Sequence, residues 1–395
     1  MTTKLKILAV LAGLGLVSCM APVEDALTLP ESSLDRAMTK VAKFNDCYDQ
    51  STLLIKFQSV PTAETLEQIT AKSGARFEKL FPSTPGKEEL EAQFGLDRWY
   101  LASDWTSGDI DAVAATFAQI GEVSLVQYNH LAQKNSDSHV YAADDLTKAP
   151  SSGLSFNDPL LVDQWHYYNA GNASIATSVK KGADINVKDV WAQLTCGDPS
   201  IIVAVVDEGV KHTHPDLAAN MWVNSDEIPG NGIDDDKNGY IDDVHGYNFV
   251  DNGPISWDKV DDKGYGDSGH GTHCAGTIAA VNNNGIGVGG VAGGSGKGDG
   301  CKIMSCQIFS GIYGGTVTAT SRAIKYAADN GASVISCSYG YSAAFESDND
   351  YLRSQGPAEI DAVHYFEATQ GNNPVLNGNV AVFDLGNKMA CYLNG

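Results

Sequence analysis

Apolar positions follow two different rhythms along this chain. Between residues 50 and 135 they come in short β-branched runs separated by amphipathic stretches. Thr52 to Phe57, Arg98 to Ala102 and Glu122 to Leu131 predict strands. Ala63 to Ser73, closed by Gly74, and Asp109 to Ile120, closed by Gly121, predict helices. The order is close to βαββαβ, a small α+β ferredoxin-like unit. From Asn157 onward, continuous apolar runs alternate with Gly-rich turns and helical segments: Ile201 to Val206, Gly271 to Ala280, Lys302 to Phe309, Thr318 to Asn330, Ser333 to Ser338 and Val380 to Leu385. Strands without polar alternation are buried on both faces. Their succession with helices predicts an α/β parallel sheet with helices on both sides. Residues 19–49 and 136–156 lack an apolar period and predict linkers.

The N-terminus changes the picture of location. Lys4 and Lys6 precede an apolar run, Ile7 to Val17, that is too short to span a bilayer. Residues 1–18 therefore predict a secretory signal peptide. Its end, Leu16-Val17-Ser18-Cys19, resembles the bacterial lipobox, which implies cleavage before Cys19 and lipidation of that residue. The chain is then expected outside a bacterial cytoplasm, as a membrane-anchored lipoprotein or at the cell surface. No later stretch predicts a transmembrane helix, so any membrane attachment is expected through lipid.

The 395 residues leave room for more than one domain. A net charge of -23 argues against a nucleic-acid partner, since phosphate binding needs a cationic surface. It accords with solubility or, at particular spacings, with calcium. Beyond Cys19 the cysteines are Cys47, Cys196, Cys274, Cys301, Cys306, Cys337 and Cys391, an odd set that cannot all pair within one chain. There is no Cys-x-x-Cys zinc signature, and several lie in apolar runs as packed small hydrophobes.

Two segments carry candidate chemistry. The run Ile201 to Val206 leads straight into Asp207-Glu208-Gly209. Active sites in parallel sheets form at the carboxyl ends of strands, where a carboxylate can orient a histidine. A strand-terminal Asp alone is also a common turn residue or helix cap. In Gly269-His270-Gly271-Thr272-His273-Cys274-Ala275-Gly276-Thr277, a histidine between glycines opens a helix with small residues on one face. Such an imidazole suits proton transfer. Capping, or a metal pair with His273, would be the other uses, though the Glu of His-Glu-x-x-His is absent.

Together these blocks resemble the subtilisin-like serine proteases (subtilases) of the thermitase-like kind, over roughly Asn157 to Met389. His212-Thr213-His214-Pro215-Asp216-Leu217 is similar to the segment after the family's Asp. Residues 282–292 are similar to its calcium loop, Ser336-Cys337-Ser338-Tyr339-Gly340 to its substrate-binding strand, and Gly386-Asn387 to its oxyanion-hole pair. The resemblance implies a serine endopeptidase with an Asp-His-Ser triad. Asp207 would orient the imidazole, His270 would serve as general base and acid, and Asn387 would donate to the oxyanion. His273 would be structural. Ser338, Tyr339 and Gly340 would pair main chain with an extended polypeptide substrate. Residues 50–135 would be the propeptide, a chaperone and inhibitor whose last strand, near Val126 to His130, leads into the cleft. Maturation would cut between about Lys134 and Asn157. A monomer is expected.

Two departures qualify this. Glu208 stands where Ser or Thr is usual in the family, and a second carboxylate there is expected to raise the pKa of the His–Asp pair. The family's nucleophile lies in a Gly-Thr-Ser-Met-Ala segment, and no serine here is preceded by Gly-Thr or followed by Met-Ala. The sequence is expected to be truncated before that segment, by a frameshift or an incomplete gene model, and to be inactive as it stands. The alternative is a non-catalytic, calcium-stabilised surface lipoprotein that binds peptides.

Calcium has two candidate sites. By the resemblance, Asp158, Asp216 and Asn284 match ligands of thermitase-like subtilases, helped by carbonyls of residues 281–288. Separately, Asp234, Asp236, Asn238 and Asp242 stand at positions 1, 3, 5 and 9 of an EF-hand-like loop with Gly239 at position 6. His245 occupies position 12, where an EF-hand needs Glu, so a true EF-hand fails.

Overall fold

A computed structural model describes residues 40–106, 108–134, 156–171, 180–257, 267–311, 313–341, 356–369, 380–384 and 389–393. Cys19, Asn387 and nearly all of the expected maturation segment lie outside these residues.

The N-terminal unit contains β1 (Val41–Ala42), β2 (Tyr48–Phe57), α1 (Ala63–Ser73), β3 (Arg76–Lys79), α2 (Glu88–Gln93), β4 (Trp99–Ser103), α3 (Ile110–Ala118), β5 (Val123–His130) and β6 (Ala132–Lys134). Strands β1 to β5 form one sheet in the order β1-β5-β2-β4-β3. The four strands other than β1, in the order β5-β2-β4-β3, have the ferredoxin-like arrangement expected of βαββαβ. The caps explain the helix boundaries: Thr62 and Asp109 accept the Thr65 and Ala112 amides, and Gly74 closes α1 at φ 73°, a conformation that suits glycine. Leu53, Ile55, Phe117 and Val126 are buried in the unit's own core.

The second unit contains α4 (Val187–Gln193), β7 (Ile202–Glu208), β8 (Gly246–Asn248), β9 (Gly253–Pro254), α5 (His270–Ala279), β10 (Lys302–Ser310), β11 (Tyr313–Gly314), α6 (Val317–Asp329), β12 (Val334–Cys337), β13 (Tyr339–Tyr341), α7 (Pro357–Thr369), β14 (Val380–Asp384) and β15 (Met389–Leu393). Its large sheet runs β15-β14-β12-β7-β10-β8-β9, with β11 on β10. The pairs β14–β12, β12–β7, β7–β10 and β10–β8 are parallel; β15, β9 and β11 add antiparallel edges. Val203 to Val206 are all buried, as a strand covered on both faces requires. Cys301, Cys306 and Cys337 are free and buried, packed as small hydrophobes. No helix among the described residues is long and apolar enough to cross a membrane.

The two units share a core: Leu54, Leu80, Leu96 and Trp99 of the first pack with Tyr326, Ala362 and Phe366 of the second. Polar contacts fix the orientation. Asn129 accepts the Thr318 amide at 3.0 Å and Gln127 accepts the Ala358 amide at 3.1 Å, so β5 caps the starts of both α6 and α7. Trp99 Nε1 and Lys56 Nζ meet Asp361 at 2.7 and 2.5 Å. Lys325, with its side chain 2% exposed, bridges Glu91 at 2.8 Å and Asp329 at 2.6 Å.

Candidate active site

β7 delivers Asp207 and Glu208 to the carboxyl edge of the large sheet, and α5 starts beside them with His270. The approach is set by small residues: a Cβ on Gly271 would stand 2.2 Å from the Glu208 carbonyl oxygen. Ala275 and Ala279 continue that buried face. Sequence reading expected this close packing, and only glycine permits it at residue 271.

His270 Nδ1 lies 2.7 and 2.8 Å from the two Asp207 oxygens, and both residues are buried. Asp207 also accepts the Glu208 amide at 2.7 Å. Burial raises the Asp207 pKa. Burial alone would lower that of His270; the hydrogen bond to Asp207, helped by Cys274, outweighs it and raises the imidazole above its ordinary value. With Nδ1 committed to Asp207, Nε2 is left for proton exchange with a reacting group. His273, one turn on, is exposed and takes no part.

Glu208 has partners of its own beside Asp207. Its carboxylate accepts the Ser268 and His270 amides at 3.1 and 2.9 Å and the Ser268 hydroxyl at 3.0 Å, and pairs with Lys134. Burial would raise its pKa, but Lys134 and these donors hold it below the ordinary value. Its charge raises the Asp207 pKa, as expected from the sequence, with burial the larger cause.

Ser338, Tyr339 and Gly340 follow β12 toward the same edge. β6 lies antiparallel on β13, with Tyr339 opposite Lys134, Gly340 opposite Gln133 and Tyr341 opposite Ala132. Across the strand, Leu131 bridges Thr316 and the Ala132 amide donates to the Gly315 carbonyl at 2.5 Å. The segment in the groove is therefore 131–134, which β5 leads into. Sequence reasoning missed this second wall; the Gly314-Gly315 pair was its signal. At Gly315 a Cβ would stand 2.8 Å from the Ala132 oxygen.

The expected calcium residues gather in two places. Asp158 accepts the Asn283 and Asn284 amides at 2.8 and 3.2 Å. Asp216 accepts Asn284 Nδ2 at 2.8 Å and the Val288 amide at 2.9 Å. Burial pushes the Asp216 pKa up to about 6, with Asp158 adding to it. In the second loop, carboxylates of Asp234 and Asp236 come together with Glu227, which sequence reasoning did not pick out. Asn238 donates its side-chain amide to Asp236 at 3.0 Å. Asp242 turns away: its oxygens accept the Asn231 and Gly232 amides at 3.1 and 3.0 Å. Glu227 ties the loop ends by accepting the Asp235 and Asp242 amides at 2.8 and 3.1 Å.

Comparison with known proteins agrees with this geometry. Residues 198–390 match the Subtilase family, Peptidase_S8. The chain is 36% identical over 158 residues to "Subtilisin-like protease 1" of Plasmodium berghei, covering 39% of this chain and 24% of that protein. It is 32% identical over 180 residues to thermitase of Thermoactinomyces vulgaris, covering 45% and 52% respectively. The chain thus spans about a quarter to a half of the length of these relatives. Among solved structures, fervidolysin from Fervidobacterium pennivorans aligns at 17% identity and a TM-score of 0.48, covering 89% of this chain and 46% of that one. The Asp207–His270 pair, at the carboxyl edge of the parallel sheet, lies within residues 198–390, which match the subtilase family.

Proposed function

We propose that the chain is the precursor part of a serine endopeptidase, with Asp207 and His270 as the proton-transfer pair and residues 50–135 as its propeptide. The buried Asp207–His270 hydrogen bond carries the reading. The strand 132–134 on Tyr339 to Tyr341 supports it, because it lies as an extended polypeptide substrate would. Ser338, Tyr339 and Gly340 are assigned to main-chain binding of substrate, and Asn387 to the oxyanion.

In this mechanism Asp207 holds His270 in one tautomer and stabilises its cation. Nε2 takes the proton of an attacking serine and returns it to the leaving amine. None of the chain's serines stands in a Gly-Thr-Ser context, so we assign none as nucleophile. The pairing of 132–134 along Tyr339 to Tyr341 also suits a second reading, a calcium-stabilised surface lipoprotein that binds peptides in the same groove without cutting them. The 395-residue chain is expected to leave casein intact, because triad enzymes without their serine lose about six powers of ten in turnover. Robust cleavage that disappears in His270→Ala would overturn this expectation and reveal another nucleophile.

Calcium is proposed as a structural cofactor. The residues fit it: Asp158 and Asp216 are buried carboxylates that disfavour each other's charge, and a divalent cation would offset that cost. Asp158, Asp216 and Asn284 would hold one ion, and Asp234, Asp236, Asn238 and Glu227 another. An ion at the first site would tie together three distant segments of the second unit. A calcium level a hundredfold above Kd is expected to add about 2.7 kcal/mol. EGTA should therefore lower the melting temperature, and Asp216→Asn should blunt the response. A melting temperature indifferent to chelator would reject the assignment.

A further inference from the structure

We infer that Glu359 is a positioning residue for peptide hydrolysis, holding β13 extended so that a polypeptide can pair with it. The inference rests on the reading of β13 as the substrate strand. Three observations carry it. First, β13 pairs with β6 and with no other strand among the described residues. A strand of 3 residues with one partner does not keep its shape by backbone pairing alone. Second, Tyr339 and Tyr341 share one face of the strand and are 2% and 8% exposed, so both rings point into the protein. Third, the Tyr339 hydroxyl donates at 3.2 Å to Oε1 of Glu359, which is buried in the first turn of α7, 20 residues on in the chain.

The other contacts of β13 come from the N-terminal unit or are less directional. β6 belongs to that unit, and so does Phe44, whose ring meets Tyr341 at 5.5 Å. Both leave β13 when the unit departs and the groove opens to substrate. The Tyr341 hydroxyl lies 3.5 Å from Thr320 Oγ1, at the outer limit for a hydrogen bond. Phe309 meets Tyr339 in a T-shaped pair at 6.5 Å, which packs the ring but gives its hydroxyl no acceptor. A carboxylate is a strong acceptor for that hydroxyl. Pinning it fixes the side chain at its far end and restrains the backbone of residue 339. β13 is then preset for pairing, which spares a substrate the cost of ordering it. Gln127 of β5 accepts the Ala358 amide at 3.1 Å, one residue before Glu359, so the docked N-terminal unit steadies the same turn.

The test follows amide hydrogen exchange across 132–134 and 339–341 in the full chain, with β7 and β10 as the reference for an intact fold. Tyr339→Phe removes the hydroxyl alone and is expected to lower the protection of both segments by about tenfold. Glu359→Ala should do the same. The double variant should be little worse than either single one, because both remove one interaction. Glu359→Gln keeps an acceptor oxygen for the hydroxyl and should keep most of the protection. β7 and β10 should exchange as in the unmodified chain throughout. Unchanged protection in Tyr339→Phe, additive losses in the double variant, a Glu359→Gln no better than Glu359→Ala, or losses spread equally over β7 and β10 would each overturn the positioning role but not the substrate strand. If 132–134 exchanges freely in the unmodified chain, the pairing on β13 fails, and with it both this inference and the proposed substrate strand.

Discussion

Replacing Asp207 by Asn is expected to return His270 to titration near or below its ordinary value. In the native chain the Asp207 hydrogen bond overcomes the burial that would otherwise lower the imidazole pKa. Asn keeps the shape of the side chain but removes the charge, so burial remains, opposed only by the smaller contribution of Cys274. The sign of the stability linkage follows. A histidine whose folded pKa is raised adds stability that is complete below the unfolded value, about 6.5, and is lost as pH climbs through the raised folded value. Asp207→Asn should flatten that part of the stability profile. NMR titration of the His270 ring checks both statements, and an unchanged midpoint in the variant would refute them. Were a serine nucleophile in place, the same change would cost about 10⁴ in turnover, the figure for a triad enzyme of unrelated fold. Asn can present its amide to Nδ1 and so favour the wrong tautomer.

Replacing Lys325 by Met should produce the largest loss of stability. Its ammonium meets Glu91, Asp329 and Thr84 Oγ1 at 2.8, 2.6 and 2.9 Å, and Asp329 also accepts the Tyr365 hydroxyl at 2.6 Å. Both carboxylates are almost fully buried. Met fills similar space but leaves two buried anions without their main counter-charge, a loss of about 3–5 kcal/mol. Urea unfolding measures it. Adding Glu91→Gln and Asp329→Asn should recover most of the loss, since no unpaired charge then remains. Breaking the exposed Arg76–Glu78 pair should cost under about 1 kcal/mol. A Lys325→Met variant no worse than that control would mean that the network contributes little. Because Glu91 belongs to α2 and Lys325 to α6, the same network clamps the N-terminal unit onto the helices beneath the groove.

The sequence by itself determined most of the large elements. The apolar run of β7, the small-residue face of α5, and caps such as Thr62, Asp109 and Gly74 are local properties, and the chain obeys them. The Asp207–His270 partnership was legible because its motifs resemble a known family, not because spacing across 63 residues implies contact. Short β3, β8 and β13 carried too few residues for a period to register. α7 was hidden too, because its apolar residues do not fall along a single stripe.

Only the tertiary structure decided what the carboxylates do. Glu208, Glu227 and Asp242 are alike in composition, yet one meets a lysine from β6, one ties a loop and one binds amides of residues 231 and 232. A carboxylate's charge state and role depend on which donors the fold brings within about 3 Å. Those donors come from segments far away in the chain, and no local pattern records them.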